Sequence, residues 1–192
     1  MDKILFVNAC VRGESRTRRL AESIIKQLKG NVTEVKPAVA TKPITNEEFI
    51  NSHNKASTTG DFSDAVYDPA RQFAEADIIV IAAPYWDLSF PAILKAYFEQ
   101  INVLGLTFAY TTEGRPYGLC KAKRLIYVTT AGGPIISDEY GYGYVKTLAQ
   151  AFYGIKDVSQ VKAENLDVIG ADVEKILRDA LDREYKRAYS TF

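Results

Sequence analysis

The sequence predicts an α/β fold: a five-stranded parallel sheet in the order 2-1-3-4-5 with helices on both faces. Short continuous apolar runs such as Ile4–Val7 and Asp77–Ala83 (DIIVIAA) have the composition of strands buried on both faces. Segments with apolar residues at three- and four-residue spacing, the period of a helix, separate them. Strict alternation of the two requires parallel strands joined by right-handed crossovers. With 192 residues, 47% of them apolar and 25% charged, the chain suits one globular domain spanning 1–192.

Taken in order, Ile4–Val7 is the first strand. Leu20, Ala21, Ile24, Ile25 and Leu28 then mark one face of a helix that stops at Lys29-Gly30-Asn31. Val32–Lys36 is a weaker second strand. Residues 37–60 hold Pro37, Pro43 and many Ser, Thr and Asn, and read as a long irregular excursion with one helical turn near Glu47–Asn51. Phe62–Ala76 is expected to be helical, and Asp77–Ala83 to be the central strand. Pro91 suits the first turn of the next helix, whose apolar face runs through Ile93, Leu94, Tyr97, Phe98 and Ile101. Arg124–Thr129 is the fourth strand. A helix over Tyr144–Tyr153 and a fifth strand over Val158–Val168 follow. Val173, Ile176, Leu177, Ala180 and Leu181 mark the closing helix.

Charge and cysteine content narrow the function classes. Lys+Arg and Asp+Glu both number 24, which argues against nucleic acid or an acidic membrane surface as main partner. Two cysteines cannot build a disulfide framework, and no apolar run approaches the ~18 residues of a membrane span. The N-terminal ILFVNACV is too short and too early for a signal peptide, so a soluble cytoplasmic protein without membrane insertion is expected. His53, the single histidine, lies in the polar excursion and is expected at the surface; no histidine metal cluster is available. Cys120 is read as structural.

A doubly wound sheet of this order binds ligands beyond the carboxyl ends of strands one and three, so the loops after residues 8, 83 and 129 carry the information. The first places Ser15, Arg16 and Thr17 at a helix N-terminus, where free N–H groups and the dipole make an anion site. Arg12, Arg16, Arg18 and Arg19 crowd the same end, and a bound phosphate would offset their repulsion from the dipole. The second loop, APYWDLSFP (Ala83–Pro91), offers aromatic and apolar side chains suited to a flat heteroaromatic ring. In the third, TTAGGPI, Gly132-Gly133 allow close backbone approach and present N–H donors. Phosphate at the first loop and a flat ring between the other two together describe FMN. Gly141-Tyr142-Gly143-Tyr144 either covers the pocket or caps a helix.

Those stretches resemble a known family, the FMN-dependent NADH azoreductases and related quinone reductases of flavodoxin-like fold. The resemblance runs nearly end to end, through SRT, APYWDLSFPAILKAYFEQI, GLTFAYTTEGRPYGL, TAGGPI, FYGI and AENLD. It implies that Ser15, Arg16 and Thr17 hold the FMN phosphate. It implies that Pro84, Tyr85, Trp86, Asp87 and Leu88 hold one flavin edge, and Thr130, Ala131, Gly132 and Gly133 the other. It also implies a homodimer in which Tyr110 and Phe152 reach the partner's pocket, joining Trp86 against the second substrate. NADH or NADPH would reduce the flavin and a quinone or azo compound would reoxidise it, in ping-pong order and with no catalytic protein nucleophile. Three departures stand out. Ala9 and Cys10 replace frequent hydroxyl residues. Trp86-Asp87 replaces a common Tyr-Asn, setting an anion beside a ring that becomes negative on reduction. GRPYGL is a local variation.

Two other readings compete. Cys10-x5-Arg16-Thr17 resembles the phosphate loop of low-molecular-weight tyrosine phosphatases, in which a low-pKa thiolate attacks phosphorus. The only Asp-Pro, Asp68-Pro69, lies before the third strand rather than late in the chain, and Gly13-Glu14 stands where that family has Gly-Asn. A flavin-binding regulatory subunit or electron carrier is the third class. Carriers of this fold are usually strongly acidic, whereas this chain is balanced.

Overall fold

A computed structural model describes residues 1–41 and 43–189; position 42 in the expected excursion and residues 190–192 of the expected domain lie outside the described residues. Strand β1 (Asp2–Asn8) leads to helix α1 (Arg16–Ile25) and strand β2 (Gly30–Val35). Helices α2 (Pro37–Ala40), α3 (Glu47–Asn54) and α4 (Ala56–Thr59) follow, then a 3-10 turn (Ala65–Tyr67) that enters α5 (Asp68–Glu75). Strand β3 (Ile78–Ala82) and helix α6 (Ala92–Ile101) precede a small antiparallel pair, β4 (Phe108–Tyr110) and β5 (Pro116–Gly118). Strand β6 (Arg124–Thr130), helix α7 (Tyr144–Leu148), strand β7 (Asp157–Ala163) and helix α8 (Val173–Tyr189) complete the chain.

The main sheet is parallel, in the order β2-β1-β3-β6-β7, which is the expected 2-1-3-4-5 once the β4–β5 pair is set aside. The three central strands, β1, β3 and β6, bury both faces, so alternate residues feed two cores. Leu5, Val7, Ile79, Ile81, Leu125 and Tyr127 face a large aromatic core with Phe73, Tyr97, Phe98 and Tyr153. Ile4, Phe6, Val80, Ile126 and Val128 face a smaller aliphatic core closed by Leu20 and Ile24 of α1 and Leu177 and Ala180 of α8. This two-sided burial is why the strands read as unbroken apolar runs. Helix α8 is also pinned by Glu184, a buried carboxylate paired with Arg124 and Arg187.

Several expectations are corrected. Helix α1 ends at Ile25, because the chain tightens there: Gln27 N–H donates to Ile24 O and Leu28 N–H to Ile25 O. Gly30 begins β2 instead of stopping the helix; a Cβ on it would lie 2.4 Å from Asp2 O. The excursion holds three helices rather than one turn. Asn46 caps α3 by accepting from Phe49 N–H at 2.8 Å, and Glu47 and Glu48 fill the first turn where the dipole favours them. The helix expected over Phe62–Ala76 starts only at Asp68, after the 3-10 turn. The helix expected over Tyr144–Tyr153 is short α7 flanked by π-helical turns at Glu139–Gly143 and Ala149–Tyr153. Strand β7 stops at Ala163, because Asn165 turns the chain with φ of +64°.

His53 is not at the surface: it is 4% exposed. Its Nε2 lies 2.8 Å from the carbonyl of Gln100, and a carbonyl only accepts, so Nε2 carries the proton. Gln100 sits in the last turn of α6, where carbonyls have no partner within the helix. The histidine thus closes a helix end and ties the excursion to the core.

Candidate functional site

The loops after β1, β3 and β6 meet at one cavity of about 240 Å³. Its wall includes Cys10, Arg12, Ser15, Arg16, Thr17, Pro84, Tyr85, Trp86, Thr130, Gly132 and Asp167. A larger cavity of about 500 Å³ lies near Lys36, Asp68, Gln72 and Gln100. None of the three loops reaches it, so the smaller one is the candidate site.

At its floor, Ser15 takes an extended backbone and its hydroxyl accepts from Arg18 N–H at 3.2 Å, capping α1. The N–H groups of Arg16 and Thr17 have no carbonyl partner within the helix and open toward the cavity end, an anion cradle. Thr17 is buried, and its hydroxyl shares a 2.6 Å hydrogen bond with the Thr130 hydroxyl, tying the first loop to the third. The crowded arginines are mostly matched. Arg18 pairs with Glu22 at 2.7 Å, Arg19 with Glu174 at 2.8 Å and Arg16 with Asp167 at 2.7 Å. Arg12 has no ion-pair partner among the described residues and faces the cavity.

Cys10 is unsuited to nucleophilic attack. Burial pushes its thiol pKa up, outweighing the lowering effects of the Ser15 hydroxyl and Arg18. A phosphatase needs the reverse shift. Asp68 pairs with Arg71 at the start of α5 and lines the other cavity. Cys120 is partly buried beside Thr107 O at 3.5 Å, its pKa pushed up to about 12 by burial.

The second loop bends through a two-residue turn. Trp86 N–H donates to Ser89 O at 3.0 Å and Ser89 N–H to Trp86 O at 2.8 Å. Asp87 and Leu88 between them have φ of +50° and +69°, the left-handed region that costs a branched residue such as leucine roughly 1–2 kcal/mol. Pro84, Tyr85 and Trp86 line the cavity, whereas Asp87 and Leu88 stand on the exposed turn beside it. Tyr85 N–H donates to Thr130 O at 3.0 Å, joining the second and third loops. Ser89 Oγ donates to Tyr140 O at 2.6 Å, in the π-helical turn Glu139–Gly143 that leads into α7; none of Gly141–Tyr144 lines the cavity.

In the third loop, Thr130 and Gly132 reach the cavity; Ala131 is buried and Gly133 is not part of the wall. Tyr110 and Phe152 are not in the cavity. Tyr110 is 49% exposed on β4, packed edge-on against Phe108 at 5.5 Å, and Phe108 meets Phe152 at 5.0 Å. Asp167 and Arg12 are wall residues to which the sequence reading gave no individual role.

A phosphate-sized cradle at the switch point of a doubly wound sheet defines a flavodoxin-like nucleotide binder. The family model described as "Flavodoxin-like fold" matches residues 2–188. The FMN-dependent NADH:quinone oxidoreductase 2 of Clostridium acetobutylicum is 40% identical over 200 aligned positions, covering 98% of each chain. The FMN-dependent NADH:quinone oxidoreductase of Clostridium perfringens SM101 is 35% identical, covering 95% of this chain and 96% of that one. The crystal structure of azoreductase from Bacillus anthracis Sterne superposes with a TM-score of 0.81 at 28% identity, covering 98% of this chain and 99% of the other. The chain therefore belongs to the flavodoxin-like family and, within it, to the FMN-dependent NADH:quinone oxidoreductases.

The residues present fit FMN. The α1 N-terminus and the unpaired Arg12 suit its phosphate, and Trp86, 38% exposed at the cavity mouth, offers an indole face for the ring.

Proposed function

We propose that residues 1–192 form one flavin-binding domain, an FMN-dependent NAD(P)H oxidoreductase that reduces quinones or azo compounds by two electrons. The carrying observation is the meeting of the loops after β1, β3 and β6 at one cavity headed by the α1 N-terminus. Ser15, Arg16 and Thr17 hold the phosphate, the first two through the cap hydroxyl and first-turn N–H groups. Pro84–Leu88 and Thr130–Gly133 hold the two edges of the ring, with Gly132 and Gly133 N–H groups as donors toward charge that develops on reduction. FMN, when bound, supplies the two-electron chemistry, and the protein supplies orientation and electrostatics. NADH or NADPH enters first, its oxidised form leaves, and the acceptor then takes the same place against Trp86.

The working unit is a homodimer, with Tyr110 and Phe152 completing the partner's substrate pocket. Their separation from their own cavity supports this, as does the 49% exposure of Tyr110 on β4. The cytoplasm is the expected compartment. Both cysteines are free, and no helix among the described residues is long and apolar enough to cross a membrane.

Initial rates with FMN-loaded protein, NADH and a quinone test the reading. Parallel double-reciprocal lines are expected. A bound flavin that neither NADH nor NADPH bleaches would overturn the enzyme in favour of a carrier or regulatory subunit, and intersecting lines would reject sequential use of one place.

A further inference from the structure

Asp167 brings a carboxylate to the wall of a cavity built for a phosphate. Its backbone is fixed there by three hydrogen bonds: Asn165 N–H to Gly133 O at 3.0 Å, Leu166 N–H to Ala131 O at 3.2 Å and Asp167 N–H to Gly132 O at 2.8 Å. Its Oδ1 accepts from Arg16 Nη2 at 2.7 Å, while Arg16 Nη1 donates to Leu166 O at 3.0 Å. Its Oδ2 lies 2.1 Å from where a Cβ on Gly132 would be. Gly132 therefore leaves room for this carboxylate, and a side chain at 132 would expel it.

We propose that Asp167 is a positioning and specificity residue of the phosphate cradle: it holds Arg16 across the cavity and makes the cradle reject small phosphate anions that lack a flavin. The proposal rests on the FMN reading above. With Arg16 matched by Asp167, Arg12 is left as the wall cation without an ion-pair partner among the described residues, and an entering dianion also meets the carboxylates of Asp167 and Glu14. Taken as a sphere, a cavity of about 240 Å³ is about 8 Å across, inside the ~10 Å screening length of 0.1 M salt, so the repulsion from the partly exposed Asp167 carboxylate is weakened by salt but not abolished. FMN offsets the repulsion by burying its ring between the second and third loops. Inorganic phosphate has no ring to bury and stays out.

Asp167→Asn tests this in the full chain, since it removes the charge, keeps the shape and leaves the Arg16–Leu166 bond. Apoprotein is titrated with FMN, riboflavin and inorganic phosphate by flavin fluorescence and thermal shift, beside Asp167→Glu, which keeps the charge. Circular dichroism of each apoprotein checks folding. Asp167→Asn is expected to bind FMN roughly three- to tenfold more tightly, the effect of one like charge removed at this range. Riboflavin affinity should not change, and millimolar phosphate should begin to protect the variant against heat. Asp167→Glu should still exclude phosphate. Unchanged or weaker FMN affinity, or an equal gain for riboflavin, overturns the role of Asp167 alone. Failure of the wild-type chain to bind FMN overturns the functional reading and this inference with it.

Discussion

At Cys10 the sequence pattern and the chemistry part company. The Cys-x5-Arg-Thr spacing is real, but partial burial holds the thiol protonated, and its sulfur rests 3.8 Å from the carbonyl of Ala82. Cys10→Ser should leave FMN binding and NADH oxidation largely intact, and neither protein should hydrolyse an aryl phosphate. Loss of such hydrolysis on mutation would restore the phosphatase. Ser15→Ala with Thr17→Val should instead weaken FMN at least tenfold, because hydrogen bonds to a charged group contribute about 1.5–3 kcal/mol each. Thr17 also supports Thr130, and Ser15 caps α1 for about 1 kcal/mol, so a parallel riboflavin titration separates phosphate contacts from general loosening. Leu88 gives a second test. Held at φ of +69°, it should be improved by glycine: Leu88→Gly is expected to stabilise the fold by about 1 kcal/mol in urea titration. A destabilised variant would mean that leucine's contacts outweigh its backbone strain.

Among the elements, those with two buried faces were legible and those held by tertiary contact were not. Strands β1, β3 and β6 declare themselves because every residue in their centres is apolar. The β4–β5 pair has only three residues per strand, includes Pro116 and Gly118, and has no alternation to read. Its existence depends on backbone packing: a Cβ on Gly118 would lie 2.0 Å from the carbonyl carbon of Tyr153 and 2.1 Å from Gly154 N. Gly118→Ala should therefore cost about 3 kcal/mol, the upper end of overpacking penalties. A variant as stable as wild type by thermal melt would show that the pair is not pressed against that helix end. The same limit explains His53, whose surroundings are polar in sequence although its ring is buried against α6. At the site, all three loops were readable from strand order, while Asp167 was not, because its position follows from contacts with Gly132 more than thirty residues away.

For the molecule as a whole, FMN should act as a stabilising ligand. At a hundredfold excess over its dissociation constant, linkage adds about 2.7 kcal/mol. For a chain of this size that is a rise in Tm of roughly 5–10 °C. A melt unmoved by FMN would contradict the placement of the cavity. Light scattering should find a dimer, and a fully active monomer would remove Tyr110 and Phe152 from the substrate pocket. Dimerisation through the β4–β5 pair would also take Tyr110, otherwise 49% exposed, out of water.

The base of that pair is anchored twice, by Leu119 N–H to Thr107 O at 3.0 Å and Gly105 N–H to Phe108 O at 2.8 Å. Its tip, Thr111–Arg115, is closed by its own hydrogen bond of 2.8 Å and is fully exposed. Anchorage and tip are thus separable, which makes the tip an exchangeable cassette. Sequence drift or deliberate grafting there is expected to leave sheet, cores and phosphate cradle untouched.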